Sequence, residues 1–114
     1  MDKTKSLQSS GQNESPAVGR NPLFSLGAVV ATRAVASHLA QHAVSPHEVL
    51  SQHQCGDWGL VDPDDAESNN GALKTGARLL SAYDLAGERV WVITEGEDDE
   101  GRRFSTCLLF PEEY

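Results

Sequence analysis

The fold is decided by one stretch, Arg78-Leu-Leu-Ser-Ala-Tyr-Asp-Leu-Ala-Gly-Glu-Arg-Val-Trp-Val-Ile-Thr-Glu95. Residues 88–95 are rich in β-branched and aromatic side chains, residues 78–83 form a shorter apolar run, and residues 84–87 are typical of a turn. A third run, residues 102–110, follows an acidic loop that has a glycine at each end. Strands joined by short connections pair antiparallel, so the C-terminal half is predicted to be a three-stranded antiparallel meander.

The first predicted helix lies further upstream, over residues 33–43. Thr32 is a suitable N-cap, because its hydroxyl can accept a hydrogen bond from a free N–H of the first turn. Val35, Leu39 and Ala43 recur at a spacing of four, which places them on one apolar stripe of the helix. The run before it, Leu26-Gly-Ala-Val-Val-Ala31, is short and apolar, and we expect a buried strand there.

Two further helical segments have start and stop signals. Ser45-Pro-His-Glu48 combines a capping serine, a proline at the first helical position and a glutamate three residues after the cap, and this helix should end before Gly56. Pro63 opens the third segment with acidic residues in its first turn, and Gly76 is its predicted stop. The predicted fold class is therefore α+β: a short N-terminal strand, two or three helices, and the meander with the helices packed on one face.

The chain has 114 residues, which suits one domain. Residues 1–22 are rich in Ser, Gln, Asn, Gly and Lys and contain few large apolar side chains, so we expect a disordered tail. Residues 23–114 are predicted to form a single α+β domain.

The charge balance limits the possible partners. The 17 acidic residues outnumber the 9 Lys and Arg, for a net charge of −8. Such a surface repels phosphate backbones, so direct binding to nucleic acid is not expected. The sequence contains no apolar run long enough for a membrane span and no signal-peptide pattern, so we expect a cytoplasmic protein with reduced thiols and no membrane contact. No cofactor motif is present, and we expect no cofactor.

An ordered series of motifs resembles a known family. They are His53-x-x-Gly56-Asp-Trp-Gly59, Asp65-x-x-x-Asn69-x-x-Ala-Leu73, Arg78-Leu-Leu-Ser-Ala-Tyr83, Trp91, Ile93-Thr-Glu95 and the ending Leu-Leu-Phe-Pro-Glu-Glu-Tyr114. The pattern is similar to that of small bacterial plasmid-related proteins, which occur on plasmids and integrative elements and are sometimes labelled a type I restriction modification subunit. The resemblance implies an accessory role in mobile DNA and assigns no chemistry.

The chain departs from the family pattern at two places. Arg33 stands where the family tends to have proline, and the acidic loop between the last two strands is longer than usual. The restriction-subunit label receives no support from the residues, because a methyltransferase needs a much larger cofactor-binding domain and an Asn-Pro-Pro-Tyr-type tetrapeptide that this chain lacks.

His53, Asp57 and Trp58 form the first candidate site. A carboxylate can orient a histidine as a general base, so His53 and Asp57 are the candidate catalytic residues of a small enzyme or ligand-binding domain. The alternative, which we favour, is structural. In that interpretation Asp57 caps a helix-ending turn, His53 hydrogen-bonds the loop, and Trp58 anchors it in the core.

Two other groups of polar residues lead to weaker hypotheses. Asp65 and Asn69 lie one helical turn apart and either contact a partner or cap the helix, and Arg78 either holds an anion or pairs with Asp57 or Asp65. His38, His42, His47, His53 and Cys55 invite a metal hypothesis, since His38 and His42 share a helical face. We interpret most of these histidines as surface residues and expect no metal.

The acidic loop is the last candidate site, and its charges are concentrated at Glu97, Asp98, Asp99 and Glu100. Such a run is either solvated or a contact surface. The leading functional hypothesis is a non-enzymatic accessory protein of mobile elements that binds a host or element-encoded protein, with the acidic loop and the Asp57 turn as contact surface. The alternatives are an acidic DNA mimic that inhibits a restriction or CRISPR nuclease, and an enzyme centred on His53 and Asp57.

Overall fold

The computed structural model describes residues 21–114, and these residues form three helices and a four-stranded sheet. The elements are β1 (Ala28–Ala31), α1 (Arg33–Gln41), α2 (His47–Gln54), α3 (Pro63–Thr75), β2 (Leu79–Leu85), β3 (Glu88–Thr94), β4 (Ser105–Leu109) and a 3₁₀ turn (Pro111–Glu113). The α+β class is confirmed. The predicted tail, residues 1–22, lies almost entirely outside the described residues.

The meander is present, and its first turn is tighter than predicted. β2 and β3 pair antiparallel from Leu79 opposite Thr94 to Leu85 opposite Glu88. Only Ala86 and Gly87 connect them, both with positive φ (50° and 83°). Backbone of this hand matches the twist of the strands and closes a hairpin in two residues, so residues 84 and 85 belong to the strand and not to the turn.

The position of β1 differs from the prediction in two ways. It pairs parallel with β4, which makes the order β1-β4-β3-β2 and the sheet mixed, with three antiparallel strands and one parallel strand. All four of its residues are exposed, although we expected a buried strand. A short apolar run predicts a strand but not whether that strand is central or at the edge of the sheet. The burial of the strand depends on neighbouring strands and helices that come from elsewhere in the chain.

One face of the sheet carries the helices, as predicted. Val35 and Leu39 of α1 and Val49 of α2 pack with apolar side chains of the strands. The strand residues alternate along the sheet and are Tyr83, Leu85, Val90, Val92 and Leu108. Each fully buried aliphatic side chain of this kind contributes about 1.5–3 kcal/mol, so this layer is the main source of stability.

The helix ends follow the local signals with two exceptions. The Thr32 hydroxyl accepts the N–H of Val35 and Gly76 ends α3 in the left-handed region, both as predicted. Ala43 was wrongly placed on the apolar stripe, because α1 ends at Gln41 and Ala43 is exposed with a positive φ. α2 begins at His47, and Ser45 accepts only the N–H of His47, so the full capping box was wrong.

The opposite face of the sheet is also apolar. Leu80 of β2, Trp91 and Ile93 of β3, and Cys107 and Leu109 of β4 alternate with the core residues and therefore point away from the helices. A sheet face turned to water normally carries polar side chains. The C-terminal turn covers this face in part, with the Tyr114 ring 5.6 Å from that of Trp91.

Candidate functional site

His53 lies at the centre of a buried hydrogen-bond chain that fixes its tautomer. The Thr106 hydroxyl donates to the carbonyl of Leu26 at 2.8 Å, so it accepts from the Thr94 hydroxyl at 2.7 Å. Thr94 has then used its only proton, and it accepts from Nε2–H of His53 at 2.9 Å. The other ring nitrogen, Nδ1, accepts from the Ser81 hydroxyl at 2.6 Å.

This chain keeps His53 neutral. Burial, together with the positive charge of Arg103, lowers the pKa of His53 from 6.5 to about 4. The Ser81–His53 pair resembles a nucleophile with its base. Both residues have no exposed surface, and the group that orients the ring is a hydroxyl and not a carboxylate. The arrangement therefore joins α2 to β2, β3 and β4 and offers no access to a substrate.

Asp57 shapes the turn that follows α2. One carboxylate oxygen accepts the N–H of Gly59 at 3.2 Å, and the other accepts the amide of Gln52 at 3.3 Å. Tyr83 donates its hydroxyl to the carbonyl of Asp57 at 2.6 Å. Because both ring nitrogens of His53 bind strand hydroxyls, Asp57 does not orient His53. Asp57 holds the turn, in line with the structural interpretation, but His53 bonds the strands and not the loop.

Trp58, a member of the first candidate site, is a core residue. It is 6% exposed and packs with Ala72 and Leu79, and its indole N–H donates to the side-chain oxygen of Asn70 at 3.0 Å. Tyr83 lies beside this turn, and its burial raises the pKa of its hydroxyl. The hydroxyl therefore stays protonated and can donate to the carbonyl of Asp57.

Asp65, Asn69 and Arg78 come together at the edge of β2. The buried Asn69 amide donates to the carbonyl of Leu80 at 2.7 Å and accepts its N–H at 3.1 Å, so it ties α3 to the strand. Asp65 does not cap α3, since its own N–H donates to the Asp62 carboxylate, which is the cap. Asp65 and Arg78 are both exposed.

We call the surface beside these residues the Trp91 cleft. It has a volume of about 210 Å³ and is lined by Asp65, Ser68, Asn69, Arg78, Leu80 and Trp91. Arg78 lies over the ring of Tyr114, with its guanidinium carbon 5.2 Å from the ring centre, and its NH1 group donates to the Tyr114 hydroxyl. Within residues 21–114 no carboxylate forms an ion pair with Arg78.

The composition of β3 is a sequence signal for Trp91. In β3 both alternating sets of residues are apolar, Val90 and Val92 on one face and Trp91 and Ile93 on the other. A strand of that composition predicts burial on both faces. The described residues supply helices for only one of them. On the other face Ile93 is buried and Trp91 is half-buried, so the accessible part of this face lies around Trp91.

The acidic loop is a folded turn with much of its charge already paired. Asp98 accepts the N–H groups of Glu100 and Arg102, and the hydrogen bond from Arg102 is the main reason that the pKa of its carboxyl is lowered. Arg102 forms ion pairs with Asp98 at 3.2 Å and Glu100 at 2.8 Å. Glu97 lies 3.9 Å from Arg103, and Asp99 is exposed.

Arg103 is a buried cation that the sequence analysis missed. Its side chain is 3% exposed and donates to the carbonyls of Ala77 at 2.8 Å, Glu95 at 2.9 Å and Ala72 at 3.3 Å. The Nε group has no hydrogen-bond partner. Arginine is rarely buried in proteins, and only the tertiary structure surrounds this one with carbonyls.

The histidines and cysteines give no metal centre in the part of the chain that the structure describes. The rings of His38 and His42 are 4.7 Å apart, and Nε2 of His38 lies 2.9 Å from the carbonyl of Leu85. Cys55 and Cys107 are free thiols. Burial raises the pKa of Cys107. Over residues 21–114 no helix has the length and apolar character required to cross a membrane.

Comparison with known proteins yields no match to a family model, to a curated protein or to a solved structure. The plasmid-related resemblance therefore remains a prediction from the motifs.

Proposed function

We propose that this protein is a non-enzymatic accessory protein of a mobile genetic element that acts by binding another protein through the Trp91 cleft. The observation that carries the proposal is the apolar outer sheet face, with Trp91, Tyr114 and Arg78 grouped at one end of it. Tryptophan, tyrosine and arginine are the residue types that dominate binding energy at protein interfaces. Ile93 and Leu109 of this face are buried, so the surface open to a partner is the part around Leu80, Trp91 and Tyr114.

The cleft also indicates the chemistry of the partner. Trp91 and Leu80 offer an apolar wall, and Arg78 offers a guanidinium that binds a carboxylate at two points. A partner segment with an apolar side chain next to an Asp or Glu fits both features. Nucleic acid fits poorly, because the net charge of −8 opposes it.

The two alternative functions receive less support from the same geometry. An enzyme centred on His53 and Asp57 needs access to His53, which has no exposed surface. A DNA mimic needs free negative charges along a face, whereas Arg102 and Arg103 lie against three of the four acidic residues of the loop. The following experiment separates mimicry from binding through the Trp91 cleft.

The test compares tagged variants in affinity capture from nuclease-treated host lysate, followed by calorimetry with each purified candidate. Trp91→Ala and Arg78→Ala should each weaken binding by about tenfold or more, the loss expected for a central interface residue. Leu60→Ala is the matched control, because Leu60 is a large exposed side chain that does not line the cleft.

A variant with Glu97→Gln, Asp99→Asn and Glu100→Gln tests the acidic loop and leaves the structural Asp98 intact. If this variant loses the partner and Trp91→Ala keeps it, the cleft is not the binding surface and mimicry becomes the better explanation. If all variants retain the partner equally, the proposed site is refuted.

A further inference from the structure

A second cavity lies on another part of the molecule, and we call it the Phe24 pocket. It has a volume of about 470 Å³ and lies between the segment before β1 and the segment before β4. Its apolar walls are Leu23, Phe24, Leu73 and Phe104. The volume is within the range of pockets that hold small ligands, and a mainly apolar wall with a few polar groups is typical of them.

The floor of the pocket carries an incompletely bonded cation. Arg103 lines it, and the Nε–H group of this buried guanidinium has no acceptor although the other two nitrogens bind carbonyls. The Glu97 carboxylate, whose side chain is 39% exposed, lies 3.9 Å from the NH2 group of Arg103. A buried charged donor without an acceptor is costly, so an additional acceptor at this point stabilises the protein.

Arg103 is the cation of the pocket that is left for a ligand. Arg102 also lines the pocket, but it is already ion-paired with Asp98 and Glu100. The incompletely bonded guanidinium of Arg103 favours an anionic acceptor inside the pocket. A monoanion fits better than a phosphate for two reasons. The Glu97 carboxylate at the rim repels a more highly charged ligand, and the single free N–H of Arg103 offers fewer donors than a phosphate needs.

We propose that the Phe24 pocket binds a small aromatic carboxylate. The carboxylate accepts from Nε–H of Arg103, and the aromatic ring packs against Leu73 and Phe104. The ring of Phe24 lies over the Arg103 guanidinium carbon at 5.7 Å, so this ring moves aside when the ligand enters. The site is separate from the Trp91 cleft and does not depend on the function proposed above.

Trp58 provides a local reporter, because its ring stacks on Phe24 with 6.4 Å between ring centres. The chain contains two tryptophans. In a Trp91→Phe variant the remaining fluorescence comes from Trp58, and the same change disables the cleft. A signal in this variant therefore tests the pocket independently of the protein-binding proposal.

The probes are sodium benzoate and benzamide, which have nearly the same shape and differ in charge. Benzoate should change Trp58 fluorescence in a saturable way with a Kd of about 1 mM, as expected for a ligand of this size. Benzamide should bind about tenfold more weakly. In ¹⁵N-labelled wild-type protein the largest amide shifts should fall at Gly27, Gly101 and Phe104, which surround the pocket.

A matched pair of variants at Phe104 tests the charge dependence without a folding risk, because this side chain is 64% exposed. Phe104→Gln removes the apolar wall, and Phe104→Glu removes it and adds a negative charge beside the ligand. Benzoate affinity should fall further, by about fivefold, in the Glu variant than in the Gln variant. Four results would each overturn the proposal: chemical shifts that do not saturate, equal binding of benzamide and benzoate, equal benzoate affinity of the two Phe104 variants, or shifts that map to the Trp91 cleft.

Discussion

The buried neutral His53 makes the stability of this protein depend on pH in a defined window. The pKa of His53 is about 4 in the folded protein and 6.5 in an exposed histidine. The unfolded chain therefore takes up a proton as the pH falls through 6.5, while the folded protein does not until the pH approaches 4. Stability is fully present above pH 6.5 and is lost as the pH falls from 6.5 toward 4.

The magnitude follows from the size of the shift. One pKa unit corresponds to about 1.4 kcal/mol, so the full effect is about 3 kcal/mol, and about 2 kcal/mol of it is lost between pH 7.5 and pH 5. His53 has no exposed surface, and solvent screening is therefore small. For a domain of this size a loss of about 2 kcal/mol lowers the Tm by roughly 10 °C.

Urea unfolding of the wild type and of His53→Gln at several pH values measures this contribution. The variant should be less stable at pH 7.5, because it disrupts the bonds to Ser81 and Thr94, and its stability should fall about 2 kcal/mol less between pH 7.5 and pH 5. His47→Gln, at an exposed position on the same helix, is the matched control.

Histidine NMR gives a second measurement on the wild type, which holds even where the variant folds poorly. The ¹⁵N shifts should show a neutral ring with the proton on Nε2 at pH 6, as the hydrogen-bond chain requires. A ring that titrates near 6.5, or a proton on Nδ1, would refute the assignment of this network.

Three further predictions concern stability and are tested by chemical denaturation. Gly59→Ala should destabilise the protein by more than about 2 kcal/mol, because a Cβ there would lie 2.1 Å from the carbonyl oxygen of Ala82 and the backbone has a φ of +73°. Gly71→Ala is the control within α3, where a Cβ meets nothing within 4 Å, and it should stabilise by about 0.5–1 kcal/mol. Opposite signs for the two variants would refute the close approach of Gly59 to Ala82. Thr32→Ala should cost about 1 kcal/mol through loss of the α1 cap, and no loss would mean that water replaces it. Arg103→Met should cost about 3 kcal/mol or more because three carbonyls lose their donor, and a neutral result would show that these bonds contribute little.

Part of the candidate site could be predicted from local patterns. Asp65 and Asn69 were selected as a polar pair one helical turn apart and Arg78 as a residue that could hold an anion, and all three line the Trp91 cleft. Trp91 and Tyr114 were not selected, because strand composition reveals that both faces are apolar but does not reveal which face the helices leave open. His53 was selected as a base or as a residue that hydrogen-bonds the loop, whereas its partners are hydroxyls on two distant strands, which depend on strand register.

The sequence by itself determined the elements that local energetics control. The Thr32 cap, the left-handed end at Gly76 and the hairpin between residues 78 and 95 each arise from interactions within a few residues. Only the tertiary structure decided the parallel edge position of β1, the burial of Arg103 and the neutrality of His53. These depend on which distant segments approach, because desolvation and hydrogen-bond partners are properties of the folded surroundings and not of the residue itself.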